Sequence, residues 1–178
     1  MKSLYLERST GEVREGDWVE KLDLEGVERL VVGIGPGSFA GIRSALAFAL
    51  GYAAANEKVE VFGLPSPCAL QDSADKPLCV VGDARQGMYW VALFDGFKLI
   101  CPIYQVDKEG LGKRVPRGVK MLSPDHKRIG ELLKEYFGDF YCGEAFPTAQ
   151  GLERFAEANP SALIKEPLPI YLNPAVRS

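Results

Sequence analysis

The sequence predicts an α/β protein of two lobes, each a mixed sheet with helices. Three observations carry that expectation. A valine-rich apolar run, Leu30-Val31-Val32, enters a glycine turn, and an Ala-rich helical run leaves it. Asp75-Lys76-Pro77 interrupts the chain near its middle. Beyond it, short alternating runs separated by turns read as a three-strand meander, and helical patterns follow. The chain has 178 residues, 47% of them hydrophobic, which is long and apolar enough for a real core.

The elements follow in order. Ser3–Arg14 holds a Ser9-Thr10-Gly11 turn signal and predicts a short hairpin. Trp18, Val19, Leu22 and Leu24 suit a further edge strand or turn. Leu30–Ile34 reads as a buried strand, and Ser38 or Gly37 caps a helix running to about Ala55. Val59–Gly63 is a strand, and Ser66-Pro67 marks a helix start. The meander comprises Leu78–Val81, Met88–Phe94 and Phe97–Val106, with turns at Asp83–Gly87 and Asp95-Gly96. Gly110–Gly118 reads as a basic loop, and Ser123-Pro124 as the start of a helix with Ile129, Leu132, Leu133 and Tyr136 inward. Asp139–Cys142 is a brief strand, Thr148 caps a last helix, and Pro167–Leu172 is an extended tail. The lobes are expected at residues 1–77 and 78–178.

Charge and cysteine usage narrow the classes. A net charge of −3 argues against a strong nucleic-acid grip over the whole surface. The positive charge is concentrated: residues 98–134 carry nine Lys/Arg against four Asp/Glu. Lys108, Lys113, Arg114, Arg117, Lys120, Lys127 and Arg128 form either a solvated face or a minor phosphate contact. Cys68, Cys79, Cys101 and Cys142 are scattered with no C-x-x-C, so zinc is not expected. Without a secretory leader pattern, free thiols predict a cytosolic address. The low-charge stretch Leu30–Asn56 is broken by Gly-Pro-Gly, leaving a helix below the roughly 20 residues a membrane span needs.

A strand that breaks on glycines and restarts as a helix exposes amides that favour an anion, which makes Gly35, Pro36, Gly37 and Ser38 a phosphate-loop-like turn. No lysine follows Gly37 or Gly41 as a P-loop requires, and Ser38 stands where the dinucleotide fingerprint needs glycine. The same glycines also suit nothing more than a tight turn and close packing. The single histidine, His126, lies in a charged helix start, and G-x-S-x-G is absent, so zinc hydrolysis and serine hydrolysis are not expected. Asp83 and Arg85 occupy the meander's first turn, as turn residues or as an ion pair across a cleft.

The helix after the turn is the other distinctive feature. From Phe39 to Asn56 its only charge is Arg43, so it needs cover on most sides, from its own chain or from a partner. Phe39, Ile42, Leu46, Ala49, Leu50 and Ala53 make one stripe, with Phe48 and Tyr52 off it. Ala40, Gly41, Ser44, Ala45, Ala47 and Gly51 would let a second helix approach closely. The expected partner interface is Phe39, Ile42, Arg43, Leu46, Phe48, Leu50 and Tyr52.

The run Gly33-Ile34-Gly35-Pro36-Gly37-Ser38-Phe39-Ala40-Gly41-Ile42-Arg43 closely resembles the G-I-G-P-G-S-F-T-G-L-R signature of the TsaB (YeaZ) family. Asp83-Ala84-Arg85-Gln86-Gly87 opens a segment that resembles that family's D-A-R-R-G hairpin, and Pro169-Ile170-Tyr171-Leu172 resembles its closing P-x-Y-L. The resemblance implies an actin-like (ASKHA, ribonuclease H-like) two-lobe α/β fold with mixed sheets and flanking helices. It implies a non-catalytic scaffold subunit, without catalytic or metal-binding residues of its own. That subunit serves the complex that forms N6-threonylcarbamoyladenosine at position 37 of ANN-decoding tRNAs.

The implied partners are a TsaD-like transferase, which carries the metal site, and a TsaE-like ATPase. The resemblance leaves open pairing of the chain with itself, ATP or ADP at a shared interface, and only indirect contact with tRNA. The sequence departs from the family at its start. Glu7-Arg8-Ser9 stands where D-T-S is usual, and about twenty residues separate it from Leu30, so the first lobe is abbreviated by a helix. An alternative is a small ATP-dependent phosphotransferase or ATPase of the same fold, for which Glu7 and Asp83 are the candidate metal ligands. A metalloprotease is the least supported reading, since paired histidines are lacking.

Overall fold

A computed structural model describes residues 1–10 and 19–172. Residues 11–14 of the expected hairpin, together with Trp18, lie outside the described residues. The chain forms two compact units, Met1–Ala69 with Pro147–Ile170, and Leu70–Phe146 with Tyr171–Ser178.

The first unit begins with β1 (Lys2–Leu6), β2 (Val27–Gly33), α1 (Phe39–Ala55) and β3 (Glu60–Leu64). Both β1 and β3 run parallel to β2. Leu30, Val31 and Val32 are fully buried, as a central strand covered on both faces requires. Leu30 and Val32 pack with Ile42, Ala45, Leu46 and Ala49 of α1. A single 3₁₀ turn over Val19–Lys21 stands in the stretch read as an edge strand or turn, and Ser66–Leu70 is a 3₁₀ turn where a helix start was expected.

The second unit contains β4 (Pro77–Arg85), β5 (Met88–Asp95), β6 (Lys98–Leu99), β7 (Tyr104–Asp107), α2 (Lys108–Arg114), β8 (Lys120–Ser123), α3 (His126–Phe137) and β9 (Tyr141–Glu144). Its sheet order is β6-β5-β4-β8-β9, and β7 also pairs with β5. One face buries Cys79, Val81, Val91 and Met121 under Leu111 of α2 and Ile129, Leu133 and Phe137 of α3. Gly82 faces Trp90 across the β4–β5 pair, and any Cβ there would overlap the indole.

The chain then returns to the first unit as α4 (Ala149–Ala158) and β10 (Ile164–Lys165). Leu152, Phe155 and Ala156 are buried, α4 packs on β1 and β2, and β10 pairs antiparallel with β3. The expected split at Pro77 is therefore corrected: residues 147–170 belong with the first sheet, which completes its cover. Two local expectations also change. The basic loop begins as α2, because the Asp107 carboxylate accepts the Gly110 N–H at 2.7 Å and caps a helix there. The expected third meander strand is split into β6 and β7 across a segment holding Pro102, which has no N–H to give a ladder.

Candidate functional site

The glycine turn is built against the chain that follows β1. Ser38 N–H donates to the Ser9 carbonyl at 2.5 Å, and Gly35 N–H to Ser66 Oγ at 3.0 Å. Ser66 N–H returns a bond to the Gly35 carbonyl at 2.8 Å. Gly37 has φ +154°, and a Cβ there would overlap the Ser9 backbone. A Cβ on Gly41 would overlap the Arg8 carbonyl oxygen. Close approach thus accounts for both glycines. Ser38 caps α1 as expected, its Oγ accepting the Gly41 N–H at 3.3 Å. Gly35, Pro36, Gly37 and Ser38 form the turn the sequence indicated, and the amides of Gly35, Ser38 and Gly41 are spent on acceptors of the same chain.

Glu7 lies behind this turn. Its Oε1 accepts the Ser9 N–H at 2.6 Å, while Oε2 is sealed from solvent beside Gly33 and the Ser66 hydroxyl. Burial pushes its carboxyl above the usual carboxylate range, with hydrogen bonding from Ser9, Ser66 and the Arg8 backbone pulling only part of the way back. Among the described residues no group of three or more His, Cys, Asp or Glu could hold a metal ion.

Helix α1 presents two different faces. Ile42, Ala45, Leu46 and Ala49 are buried in the first unit's core. Phe48 and Tyr52 flank that face, stacked with centroids 6.1 Å apart and half-buried against the same core. The Tyr52 hydroxyl donates to the Leu24 carbonyl at 3.2 Å. Ile42 and Leu46 therefore have no surface to offer a partner, and Phe48 and Tyr52 offer only their edges. Of the expected interface residues, Ile42 and Leu46 thus face the core, while Phe39, Arg43 and Leu50 stand exposed.

The outer face carries Ala40, Arg43, Ser44, Ala47, Leu50, Gly51 and Ala54, all exposed, with Phe39 at its edge. Phe39 is 44% and Leu50 49% exposed. The small residues noted in the sequence divide accordingly: Ala45 faces the core, Gly41 packs on Arg8, and the others face outward.

Asp83 and Arg85 form a built corner in the second unit. Asp83 Oδ1 accepts the Arg85 N–H at 2.8 Å, which pins Arg85 at φ +69° in the left-handed region. Asp83 Oδ2 lies 3.2 Å from Arg128 Nη1 and 3.7 Å from Arg85 Nη1. The Asp83 N–H donates to Asp125 Oδ2 at 2.9 Å. Asp125 stands at the N-cap of α3 but makes no side-chain cap bond, one carboxylate oxygen being turned to Asp83. Burial pushes the Asp125 carboxyl up, partly offset by the Asp83 N–H. Sequence reasoning missed Asp125 and Arg128 as the partners of Asp83, since 42 and 45 residues separate them. Four members of the basic cluster are also occupied: Lys113 pairs with Glu109, Lys120 with Asp72, Arg128 with Asp83, and Arg114 lies over the Tyr104 ring.

The architecture is thus a pair of mixed-sheet α/β units, one of which displays a dry outer helix face. More narrowly, the chain has a YeaZ-like fold. Two solved structures are similar to it over almost its whole length: YeaZ from Pseudomonas aeruginosa, and a protein described as uncharacterized with similarity to the peptidase YeaZ from that organism. Each has a TM-score of 0.68 and 17% identity, covering 96% of this chain and 99% of its own. No protein-family profile and no curated protein matches the sequence. No helix among the described residues is long and apolar enough to cross a membrane.

Proposed function

We propose that this chain is the non-catalytic partner subunit of an assembly that forms N6-threonylcarbamoyladenosine at position 37 of ANN-decoding tRNAs. It docks on a TsaD-like transferase through the outer face of α1, and the transfer chemistry belongs to that partner. The assembly includes a TsaE-like ATPase, acts in the cytoplasm, and meets tRNA through the transferase. The glycine signature, the hairpin motif and the YeaZ-like fold support this reading. The observation that carries it is the outer face itself, where apolar and small residues stand exposed along a 17-residue helix.

Covering one large side chain such as Leu50 is worth roughly 1.5–3 kcal/mol, enough to make such a face adhesive. The phosphotransferase alternative draws less support. Its candidate acid Glu7 is biased toward the neutral form and is already bonded to the Ser9 N–H.

The test is co-expression with the same organism's TsaD-like protein, followed by sizing. Wild type forms a heterodimer; Leu50→Glu and Ala47→Glu, both on exposed positions, abolish it while the thermal midpoint of the isolated chain stays unchanged. Undiminished association of both variants with the transferase would reject the docking face.

A further inference from the structure

We infer that the surface docking on α1 is a helix that sets a carboxylate opposite Arg43. This deepens the proposed function and rests on it. Arg43 is the only charge between Phe39 and Asn56. It is exposed on the outer face, one turn before Ala47 and two before Leu50. Its guanidinium lies over the Phe39 ring, 4.8 Å from the centroid. It makes no ion pair among the described residues.

Arg43 also sits in the N-terminal half of α1, so the helix dipole gives the cation no compensation. A partner that covers Ala47 and Leu50 must pass over Arg43 as well. A guanidinium covered without a counter-charge is strongly unfavourable. An Arg fork matched by a planar carboxylate is favourable and fixes register. The small residues Ala40, Ser44 and Ala47 bring the partner's backbone close enough for a short acidic side chain to reach. A second copy of α1 brings no carboxylate on its own contacting face, since α1 contains no Asp or Glu. The charge complement therefore points to a different chain.

The experiment measures affinity for the TsaD-like protein at low and high salt, for wild type, Arg43→Lys, Arg43→Glu and Leu50→Glu. Arg43→Glu is expected to weaken binding on the order of a hundredfold at low salt. Arg43→Lys loses far less, and the salt dependence of wild type largely disappears in Arg43→Glu. An Asp→Lys or Glu→Lys change on the partner helix restores binding to Arg43→Glu. If Leu50→Glu abolishes binding while Arg43→Glu binds like wild type with the same salt slope, the docking face stands and the acidic complement falls. If wild type binds no TsaD-like protein, or the outer face pairs two copies of this chain, both readings fall together.

Discussion

Helices α1 and α3 solve the same problem with opposite surfaces. In α3 the residues Ile129, Leu133 and Phe137 are buried, while Lys127, Arg128, Glu131, Lys134 and Glu135 face water. In α1 the inner face is equally dry, but the outer face offers water only Arg43 and Ser44 among alanines, Leu50 and Gly51. A helix that only has to cover its own sheet gains solubility from a charged exterior. The missing charge on α1 is explained if that exterior is covered by another molecule. Their starts differ too. α3 is tied to β4 through Asp83, Asp125 and Arg128, while α1 is seated by backbone bonds and glycines packed on Arg8 and Ser9.

The largest effect should come from the buried sides. Leu133→Ala opens a cavity under α3 and should cost about 2–5 kcal/mol in urea unfolding. Leu50→Ala, the same chemical change on the outer face of α1, should stay within about 0.5 kcal/mol in the isolated chain. Similar losses at both positions would mean that Leu50 is covered by its own chain, and the contrast between the helices would vanish.

A smaller effect separates the two helix starts by pH. The folded pKa of Glu7 is raised, chiefly by burial. As pH rises past the ordinary carboxylate range, the unfolded chain releases this proton first, and the native state holds more protons. Stability contributed by neutral Glu7 is therefore complete below the unfolded pKa and is lost as pH rises through the folded one. Glu7→Gln should remove that slope, so that its thermal midpoint no longer falls as pH rises through the folded Glu7 range. A variant whose midpoint falls with pH as steeply as wild type's would place the slope elsewhere, Asp125 being the other raised carboxyl.

The contrast between α1 and α3 also marks what the sequence could say. The α3 pattern separates inside from outside because charges occupy one side, and Ile129 and Leu133 are buried as expected. In α1 nothing polar breaks the symmetry. The stripe Phe39, Ile42, Leu46, Ala49, Leu50, Ala53 is real in spacing, yet the core takes the side centred on Ala45 and Ala49, leaving Phe39 and Leu50 at its outer border. The strand–turn–helix unit around Gly33–Ser38 was legible because glycines and a Ser cap carry local information. The pairing of Asp83 with Asp125 and Arg128, the seat of Glu7 and the return of α4 to the first sheet were not legible. Each joins segments far apart in sequence, and the sheet a late helix covers is a property of the assembled strands.

The finest test uses glycine. Gly130 in α3 has an internal reason, because a Cβ there would overlap the His126 ring, whose Nδ1 lies 2.7 Å from the Tyr141 hydroxyl. Gly51 has none: it lies mid-helix on the outer face, and a Cβ there meets nothing within 4 Å. A glycine in a helix interior costs about 1 kcal/mol relative to alanine. Gly51→Ala should therefore stabilise the isolated chain by roughly that amount in urea unfolding, whereas Gly130→Ala should gain less, because the His126 ring must turn away from its Tyr141 contact. If the outer face admits a partner helix at close range, Gly51→Ala should also weaken heterodimer formation, so that stability and association move in opposite directions. A variant that gains stability and binds the transferase as well as wild type would leave Gly51 without a role in docking.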